Sequence, residues 1–454
     1  MTTEYENQVE EEEDLSFGDI VWGQFKKNRV AYASLWFLGF LFLLAICTPI
    51  FASGRPFVWT EGGETSYPWM VALFDRNYYE NGVDIFFNLL LVIGIPLFGL
   101  FLLRMNMLGK ANMSKRPRRK KLLVEGGGLI ALFFVVFIGV LLKPYQKPYV
   151  QYHDKYTEYE LSLQADAVKQ AFVQKKEDAT KLSDEQKDMI STMQRLSLEP
   201  KDLAQGEPIS AVFAPVPYAF RKTGFKSLEG PSLKHPIGVD TAGRDVAVQM
   251  LYGIRISLSI GVIAVGIYVT IGIIIGAFAG YFAGVIDLVV QRVIEIFMSV
   301  PVLIVLLVLI AFIEKPSIYH IMLVIGLFRW TGVARLVRGE FYRLRNLDFV
   351  TSAVALGYKP PRIIFQHILP NALGPVLVAA TFGVAGAILT ESGLSFLGLG
   401  DVSVPSWGQT LSDGYKNDAL HLILAPGFAI FATVSILNLV GEGLRDALDP
   451  KMRK

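Results

Sequence analysis

Eight long apolar stretches constrain this chain more than any other feature of its sequence. The hydrocarbon core of a bilayer is about 30 Å thick, so roughly 20 residues of α-helix are needed to cross it. The stretches near or above this length are residues 32–52, 85–103, 122–142, 254–282, 288–313, 318–337, 372–389 and 420–439. The second contains Pro96 and the sixth contains Arg329, so these two are the least regular. The sequence therefore predicts an all-α, polytopic membrane protein.

Composition agrees with a membrane protein and argues against several other classes. Of the 454 residues, 52% are hydrophobic and 19% are charged. A net charge of +2 gives no reason to expect a nucleic-acid partner. Cys47 is the only cysteine, which excludes an intramolecular disulfide and a thiolate metal cluster. Neither HExxH nor GxxxxGK[ST] occurs, so we predict no catalytic residue, no metal site, and no cofactor or nucleotide bound by this chain.

The distribution of basic residues predicts an orientation. Residues 104–121 end in "KRPRRKK" and contain no acidic residue, which is typical of a cytoplasmic loop. Counting spans from this loop places both termini inside and residues 53–84 and 143–253 outside. The acidic N-terminal tail lacks the basic start of a cleaved signal, so the first span is predicted to be a retained anchor. We expect helices over 154–197 and extended chain with turns over 200–236.

The segment "VTSAVALGYKPPRIIFQHILPN", residues 350–371, reads as two short amphipathic helices that face water. Gly357 can adopt a left-handed conformation that ends the first helix, Pro360 and Pro361 suit the first turn of the second, and Pro370 is expected to stop it. The predicted apolar stripes are Phe349, Ala353 and Leu356, then Ile364, Phe365 and Ile368. The pattern alone fits a cytoplasmic linker helix as well as a docking surface.

Three stretches resemble a known family. They are "HPIGVDTAGRDVAVQMLYGIRISLSIG" from His235, "LTESGLSFLGLGDVSVPSWGQTLSDG" from Leu389, and "PGFAIFATVSILNLVGEGLRDALDPK" from Pro426. Together they resemble the C-type permease subunit of dipeptide and oligopeptide ABC importers, over residues 208–451. "FKKNRVAYASLWFLGFLFLL" from Phe25 resembles the N-terminal anchor of that family. The resemblance implies a type I ABC importer transmembrane fold, here with an additional pair of spans and an extracytoplasmic insertion.

In the resembled family, the segment at 350–371 is the coupling segment, which docks on the ATP-hydrolysing subunit. The family motif begins Glu-Ala-Ala, and here Thr351 and Ser352 replace the first two residues while Ala353 keeps the third. Gly357 is at the position of the motif glycine, which makes the turn. The resemblance implies that the coupling residues are Thr351, Ser352, Ala353, Leu356, Gly357, Ile364, His367, Leu369 and Pro370. With Glu-Ala absent, we expect the ATPase groove to be specific to this permease.

The stretch "GVDTAGRDV" lies just before a long span, and the resemblance places it near the external mouth of the pathway. The residues expected at that mouth are Asp240, Gly243, Arg244, Asp245 and Glu391. The structural alternative for the first four is an ion-paired turn that positions the following helix, which Asp240 could cap. Glu391 could meet a peptide's amino terminus or be a simple loop charge.

Two features inside the spans have plain structural explanations. Arg292 and Glu295 are three residues apart, a spacing at which they are expected to pair. Gly272, Gly276 and Gly280 recur every four residues, which predicts close packing between membrane helices.

We expect the chain to divide into six segments. These are a cytoplasmic tail (1–30), a membrane anchor (31–52), an external loop with an inserted helix pair and a basic cytoplasmic loop (53–142), an extracytoplasmic insertion and loop (143–250), the ABC permease transmembrane domain (251–446) and a cytoplasmic tail (447–454).

The function that the resemblance implies is that of a permease subunit, not an enzyme, moving peptides into the cytoplasm by alternating access. The implied partners are a second homologous permease forming a heterodimer, two ATPase subunits that carry ATP and Mg, and an extracytoplasmic substrate-binding protein, all at the bacterial inner membrane. The same machinery could carry nickel, a sugar or a peptide antibiotic. Other classes are an ion-coupled secondary transporter, for which neither inverted repeats nor intramembrane coupling charges are visible, and a membrane-embedded enzyme.

Overall fold

A computed structural model describes residues 17–110, 115–142, 151–177, 182–200, 203 and 207–449. Within these residues, seven helices are long and apolar enough to cross a membrane, and a bent pair of helices would make an eighth span. The prediction of a mainly helical, polytopic protein is therefore confirmed. A small three-stranded sheet, which the all-α prediction missed, accompanies the helices.

The helices follow one another along the chain, and we number them in order. They are α1 (Phe17–Lys27), α2 (Arg29–Phe51), α3 (Pro68–Ala72), α4 (Gly82–Leu89), α5 (Ile95–Lys110), α6 (Lys115–Leu141), α7 (Tyr152–Leu163), α8 (Ala165–Glu177), α9 (Asp184–Leu196), α10 (Val246–Phe282), α11 (Gly284–Ser299), α12 (Val302–Ala311), α13 (Ile318–Leu344), α14 (Asp348–Ala355), α15 (Pro360–Arg362), α16 (Leu369–Phe396), α17 (Trp407–Lys416) and α18 (Leu420–Leu448). The strands are β1 (Val58–Glu61), β2 (Glu64–Ser66) and β3 (Ile209–Val212).

Prolines explain two departures from regular spans. The predicted fifth span is broken: α11 and α12 meet at Val300 and Pro301 with a bend of 69°. Val300 is extended there because the proline ring disfavours a helical conformation in the residue before it. In the predicted second span, a π turn over Leu90–Gly94 joins α4 to α5 directly before Pro96, and the helix continues through the proline. A wider turn makes room for a ring that an α-helical turn would exclude.

The chain forms two compact units. The middle unit is the described part of residues 43–255. Its sheet has the order β2-β1-β3 with antiparallel pairing, in which Trp59 lies opposite Ala211. Helices α7, α8 and α9 pack around Val168 and Met193, both fully buried. Over the described part of residues 154–197 the helical prediction is confirmed, as three helices.

The terminal unit is the described part of residues 1–42 and 256–454. Here the predicted glycine seam is found: α10 lies so close to α13 that a Cβ on Gly272 would be 2.6 Å from the Cβ of Val333. A Cβ on Gly276 would collide with the Ala334 carbonyl oxygen. The predicted Arg292–Glu295 pair also forms, with 2.5 Å between the guanidinium and carboxylate atoms.

Candidate functional site

The first half of the coupling segment ends in the predicted glycine turn. Helix α14 stops after Ala355, and Gly357 follows with φ +76°. The Gly357 amide donates to the Val354 oxygen at 2.9 Å, and the Tyr358 amide donates to the Ala353 oxygen at 3.2 Å. These two bonds satisfy carbonyls that the helix end would otherwise leave free. Glycine is favoured at 357 because a side chain strains this left-handed conformation.

The second half of the coupling segment differs from the prediction. Pro360 and Pro361 begin α15 as expected, but Pro370 does not end the helix. The chain instead passes through a π turn, Ile363–Ile368, and continues into α16, so that Pro360–Phe396 forms one long helix. Pro370 is tolerated because it lies in the first turn of α16, directly after the wider π turn. The Asn371 side chain donates to the His367 carbonyl oxygen at 2.8 Å.

Only some side chains of the two predicted apolar stripes pack against the protein. In α14 the buried side chains are Val350 and Ala353, whereas Phe349 and Leu356 are 40% and 71% exposed. The predicted stripe of Phe349, Ala353 and Leu356 is therefore divided: Ala353 packs against the protein, and the other two side chains remain exposed. The spacing alone does not say which of two adjacent apolar faces meets the protein. In the π turn, Ile364 and Ile368 are buried, and Phe365 is 44% exposed.

The exposed side of the coupling segment combines apolar, hydroxyl and cationic groups. Thr351 and Ser352 are exposed next to Val354 and Leu356. Tyr358 connects the two halves, since its ring stacks on His367 with the centroids 5.6 Å apart and lies 4.3 Å from the Arg362 guanidinium. Leu369 is half-buried and Pro370 exposed at the far end. Exposed apolar side chains on a short surface element are typical of a protein-binding surface.

The four residues of the predicted external turn form a closed local network. The Asp240 carboxylate accepts hydrogen bonds from the Ala242 amide at 2.9 Å and from the Arg244 amide and Nε at 2.8 and 2.7 Å. Gly243 has φ +73°, and a Cβ there would be 2.7 Å from the Phe225 oxygen. The geometry is that of the ion-paired turn given above as the alternative, with Asp240 only 2% exposed.

Asp245, not Asp240, caps the long helix that follows. Its carboxylate accepts from the Val248 amide at 3.0 Å and lies 2.7 Å from the Nδ1 of His235. The ring of His235 in turn stacks on Tyr218 at 5.2 Å. Burial raises the pKa of Tyr218 to about 12, so this phenol stays neutral. The prediction that Asp240 caps the helix is wrong because its oxygens are already used within the turn.

Glu391 is not a loop charge. It lies inside α16 and is 2% exposed. The Ser395 and Ser406 hydroxyls donate to its Oε1 at 2.7 and 2.8 Å. Glu391 belongs to the terminal unit and the Asp240 turn to the middle unit, so neither unit assembles the predicted mouth residues into one site.

Sequence reasoning missed one buried ion pair. Arg255 is fully buried, with its guanidinium 3.1 Å from the Asp84 carboxylate and its Nε donating to the Ala45 oxygen at 2.7 Å. The available signal was an arginine at the start of the apolar stretch 254–282, because a charge within a span needs a partner. Metal ligands are not suggested: in the part of the chain that the structure describes, no three His, Cys, Asp or Glu side chains could hold an ion together.

Known proteins match this chain over most of their length. The family described as binding-protein-dependent transport system inner membrane component matches residues 272–454, and the N-terminal TM domain of oligopeptide transport permease C matches residues 16–67. The dipeptide transport system permease protein DppC of Alkalihalophilus pseudofirmus is 39% identical, over 54% of this chain and 82% of the relative. The oligopeptide transport system permease protein OppC of Haemophilus influenzae is 40% identical, over 52% and 78%.

Two further similarities are a curated permease and a solved structure. The glutathione transport system permease protein GsiD of Pectobacterium atrosepticum is 36% identical, over 50% of this chain and 75% of the relative. A chain of the MetNI methionine ABC transporter, solved in inward-facing conformations, covers 44% of this chain and 96% of its own length with 18% identity and a TM-score of 0.38. The three relatives at 36–40% identity are all named as permease proteins of transport systems. The chain belongs to the family of binding-protein-dependent transport system inner membrane components.

Proposed function

We propose that this membrane protein is the permease subunit of an ABC importer that moves short peptides into the cytoplasm. The observation that carries the proposal is the identity of 39–40% to dipeptide and oligopeptide permeases over about four fifths of their length. The glutathione permease among the relatives supports the same cargo class, since its name denotes a tripeptide carrier. The type I importer fold that the family implies is part of the proposal.

The proposal includes three kinds of partner. A second permease completes the pathway, two ATPase subunits bind ATP and Mg, and an extracytoplasmic binding protein delivers the peptide. The exposed face of the coupling segment supports an ATPase contact, because Val354, Leu356 and Phe365 are exposed apolar side chains on a water-facing element. The basic residues at 115–121, in the first turns of α6, support placing that face, and both termini, in the cytoplasm.

The coupling segment offers a mechanical route from the ATPases to the spans. Because the π turn joins α15 to α16 without a break, a displacement of the docked surface moves the start of a membrane helix directly. ATP binding then has to shift a two-state packing equilibrium. A change from 1:99 to 99:1 needs about 5.5 kcal/mol of differential binding, which a docked protein surface can supply.

The first experiment measures transport. Proteoliposomes that contain this chain, the partner permease, both ATPases and the binding protein should accumulate a labelled dipeptide only with ATP inside. Omitting the ATPases is the control. Uptake that persists without them would overturn the ABC mechanism, and ATP-driven uptake of a sugar or nickel but not of peptides would overturn the cargo.

The second experiment tests the glycine turn. Gly357→Val should uncouple ATP hydrolysis from peptide uptake, because a β-branched residue in a left-handed conformation costs roughly 1–2 kcal/mol and displaces the turn. Gly398 provides a matched control: it has φ +82°, and the same pair of backbone bonds ends α16 there. Gly398→Val should carry a similar strain yet leave the ratio of peptide transported to ATP hydrolysed unchanged. Equal ratios in the two variants would contradict the coupling role of Gly357.

A further inference from the structure

Arg329 is a cation at the middle of a membrane span, and no carboxylate in the described part of the chain pairs with it. It lies in α13, about 17 Å along the helix from Ile318 and about 22 Å from Leu344 at 1.5 Å per residue. Its NH2 donates to the Thr390 hydroxyl at 3.0 Å. Other arginines of the same helix pair with acids, Arg338 with Asp287 and Arg343 with Glu340. No carboxylate of the described residues forms a salt bridge with Arg329.

The helix beside Arg329 is shaped to receive it. Helix α16 has glycine at the point of contact, where a Cβ on Gly386 would be 2.9 Å from the Arg329 NH1 atom. One turn further on, Thr390 supplies the hydroxyl that the guanidinium binds, while its own Oγ1 donates to the Gly386 oxygen. The guanidinium is therefore held in place by one neutral acceptor, and among the described residues none of its five donors meets a charged partner.

Arg329 lines an open cavity of about 530 Å³. The walls are largely apolar and include Phe297, Met298, Pro301 and Phe328, with Tyr268 and Thr331 as polar members. A mainly apolar cavity of a few hundred Å³ with few, fixed polar groups is the usual form of a small-molecule site. Its size suits one or two residues of a peptide chain.

A charge at this depth is costly unless it meets an opposite charge or water in a pathway. A guanidinium binds a carboxylate through two parallel hydrogen bonds, which makes the pair both strong and oriented. The one anionic group shared by all unmodified peptides is the C-terminal carboxylate, and the apolar walls suit varied side chains beside it.

We propose that Arg329 binds the C-terminal carboxylate of the peptide as it passes through this cavity. The inference rests on the proposed function and adds to it a residue and a chemical requirement for the cargo. A carboxylate of the partner permease is the competing occupant of the same guanidinium, and the experiment separates the two.

The test compares one dipeptide with a free C-terminus and the same dipeptide as a C-terminal amide, in the complete proteoliposome system. Both are supplied at concentrations that saturate the binding protein. For each variant the measured quantity is the ratio of acid uptake to amide uptake. Arg329→Gln should lower this ratio about tenfold, the scale of one charge-assisted bond, mainly by slowing uptake of the acid. Arg335→Gln, an exposed arginine in the same helix, is the matched control and should leave the ratio unchanged.

Arg329→Lys keeps the charge but loses the two-pronged geometry, so its ratio should fall by a smaller factor of about three. This variant decides the question if Arg329→Gln fails to assemble. Equal loss of acid and amide uptake, as expected for a pair with the partner permease, overturns the inference, and so does an unchanged ratio in both variants. If the wild-type system moves neither peptide with ATP, the proposed function falls and the inference with it, which is a different result from transport with an unaltered ratio.

Discussion

The contacts inside the middle unit differ in kind from those inside the terminal unit. In the middle unit, helices are joined by directional polar bonds, as where Arg255 reaches Asp84 and the Ala45 carbonyl oxygen, and where the Tyr252 hydroxyl donates to the Ala52 oxygen at 3.0 Å. In the terminal unit, α10 and α13 meet through small residues at close range, as along Gly272 and Gly276, and side-chain bonds such as that between Arg338 and Asp287 occur beside this seam.

The difference matters for a transporter. Buried polar bonds have one good geometry and are costly to break, because each group would be left unsatisfied in a nonpolar environment. Close packing of small residues depends little on direction. Two helices that meet along such a seam can therefore change their packing without breaking a hydrogen bond. We expect the middle unit to behave as a rigid body and the terminal unit to contain the helices that rearrange during transport.

Removing Arg255 gives the largest expected effect and tests the polar anchoring of the middle unit. Arg255→Leu should lower the free energy of unfolding by about 3–5 kcal/mol, because it leaves the Asp84 carboxylate buried and unpaired. The measurement is denaturant-induced unfolding in mixed micelles. The double variant Arg255→Leu/Asp84→Leu removes both charges and should be more stable than the single variant. A double variant no more stable than the single one would mean that packing, not the ion pair, anchors this unit.

Lowering the pH should weaken the middle unit through His153. The ring packs edge-on against Phe213 and Tyr218, and its burial lowers the pKa to about 4, with Arg195 and Lys222 acting in the same direction and Asp154 opposing them. Folded protein therefore keeps the ring neutral, while the unfolded chain takes up a proton near pH 6.5. Stability is complete above pH 6.5 and declines as the pH falls towards 4, by about 3 kcal/mol in all.

Unfolding followed between pH 7 and pH 4 measures this effect. His153→Phe should flatten the profile over that range, whereas His320→Gln, at an exposed histidine of the terminal unit, should keep it. A profile that His153→Phe leaves unchanged would assign the acid sensitivity to other groups.

The sequence predicted the features that depend on local chemistry and length. Span positions follow from apolar length alone, and the Gly357 turn follows from the one residue type that tolerates its backbone. The break at Pro301 was missed, although proline was visible there, because an apolar run of 26 residues (288–313) reads as one long span. The sheet was missed for a different reason: β1 and β3 are four residues each and about 150 residues apart, so no local pattern links them.

The site residues also divide into those that local sequence predicts and those that only the fold brings together. The ion pair within the Asp240 turn spans five residues and could be foreseen as one of two alternatives. The serine shell of Glu391 could not, because Ser406 comes from a loop 15 residues away and only the fold brings it near. Pro370 is a third case. Proline usually ends a regular helix, but here a π turn directly before it lets the helix continue, and the sequence gives no sign of that turn.

Filling the glycine seam gives a smaller effect and tests the terminal unit. Gly276→Leu should destabilise by about 1–3 kcal/mol through overpacking, since the position already touches Ala334 and Val337. Peptide uptake should fall even where the variant stays folded, because α10 and α13 could no longer approach each other. Gly127→Leu is the control in a middle-unit span, where no heavy atom lies near the added Cβ. Equal losses of transport in the two variants would remove the distinction between a moving seam and a fixed one.

The smallest expected effect concerns an ion pair of the middle unit that is not buried, and it separates burial from charge as the source of anchoring. Lys155 donates to Glu61 at 2.5 Å, linking α7 to β1, and this bond with that from the Trp59 ring nitrogen lowers the pKa of Glu61. The Lys155 and Glu61 side chains are 47% and 34% exposed, so water already solvates both charges. Lys155→Gln should therefore change the free energy of unfolding by only about 0–1 kcal/mol, against 3–5 for Arg255→Leu. A loss above about 2 kcal/mol would show that charge pairing itself, buried or not, holds the middle unit together, and the contrast with the glycine-packed terminal unit would then rest on charge rather than on burial.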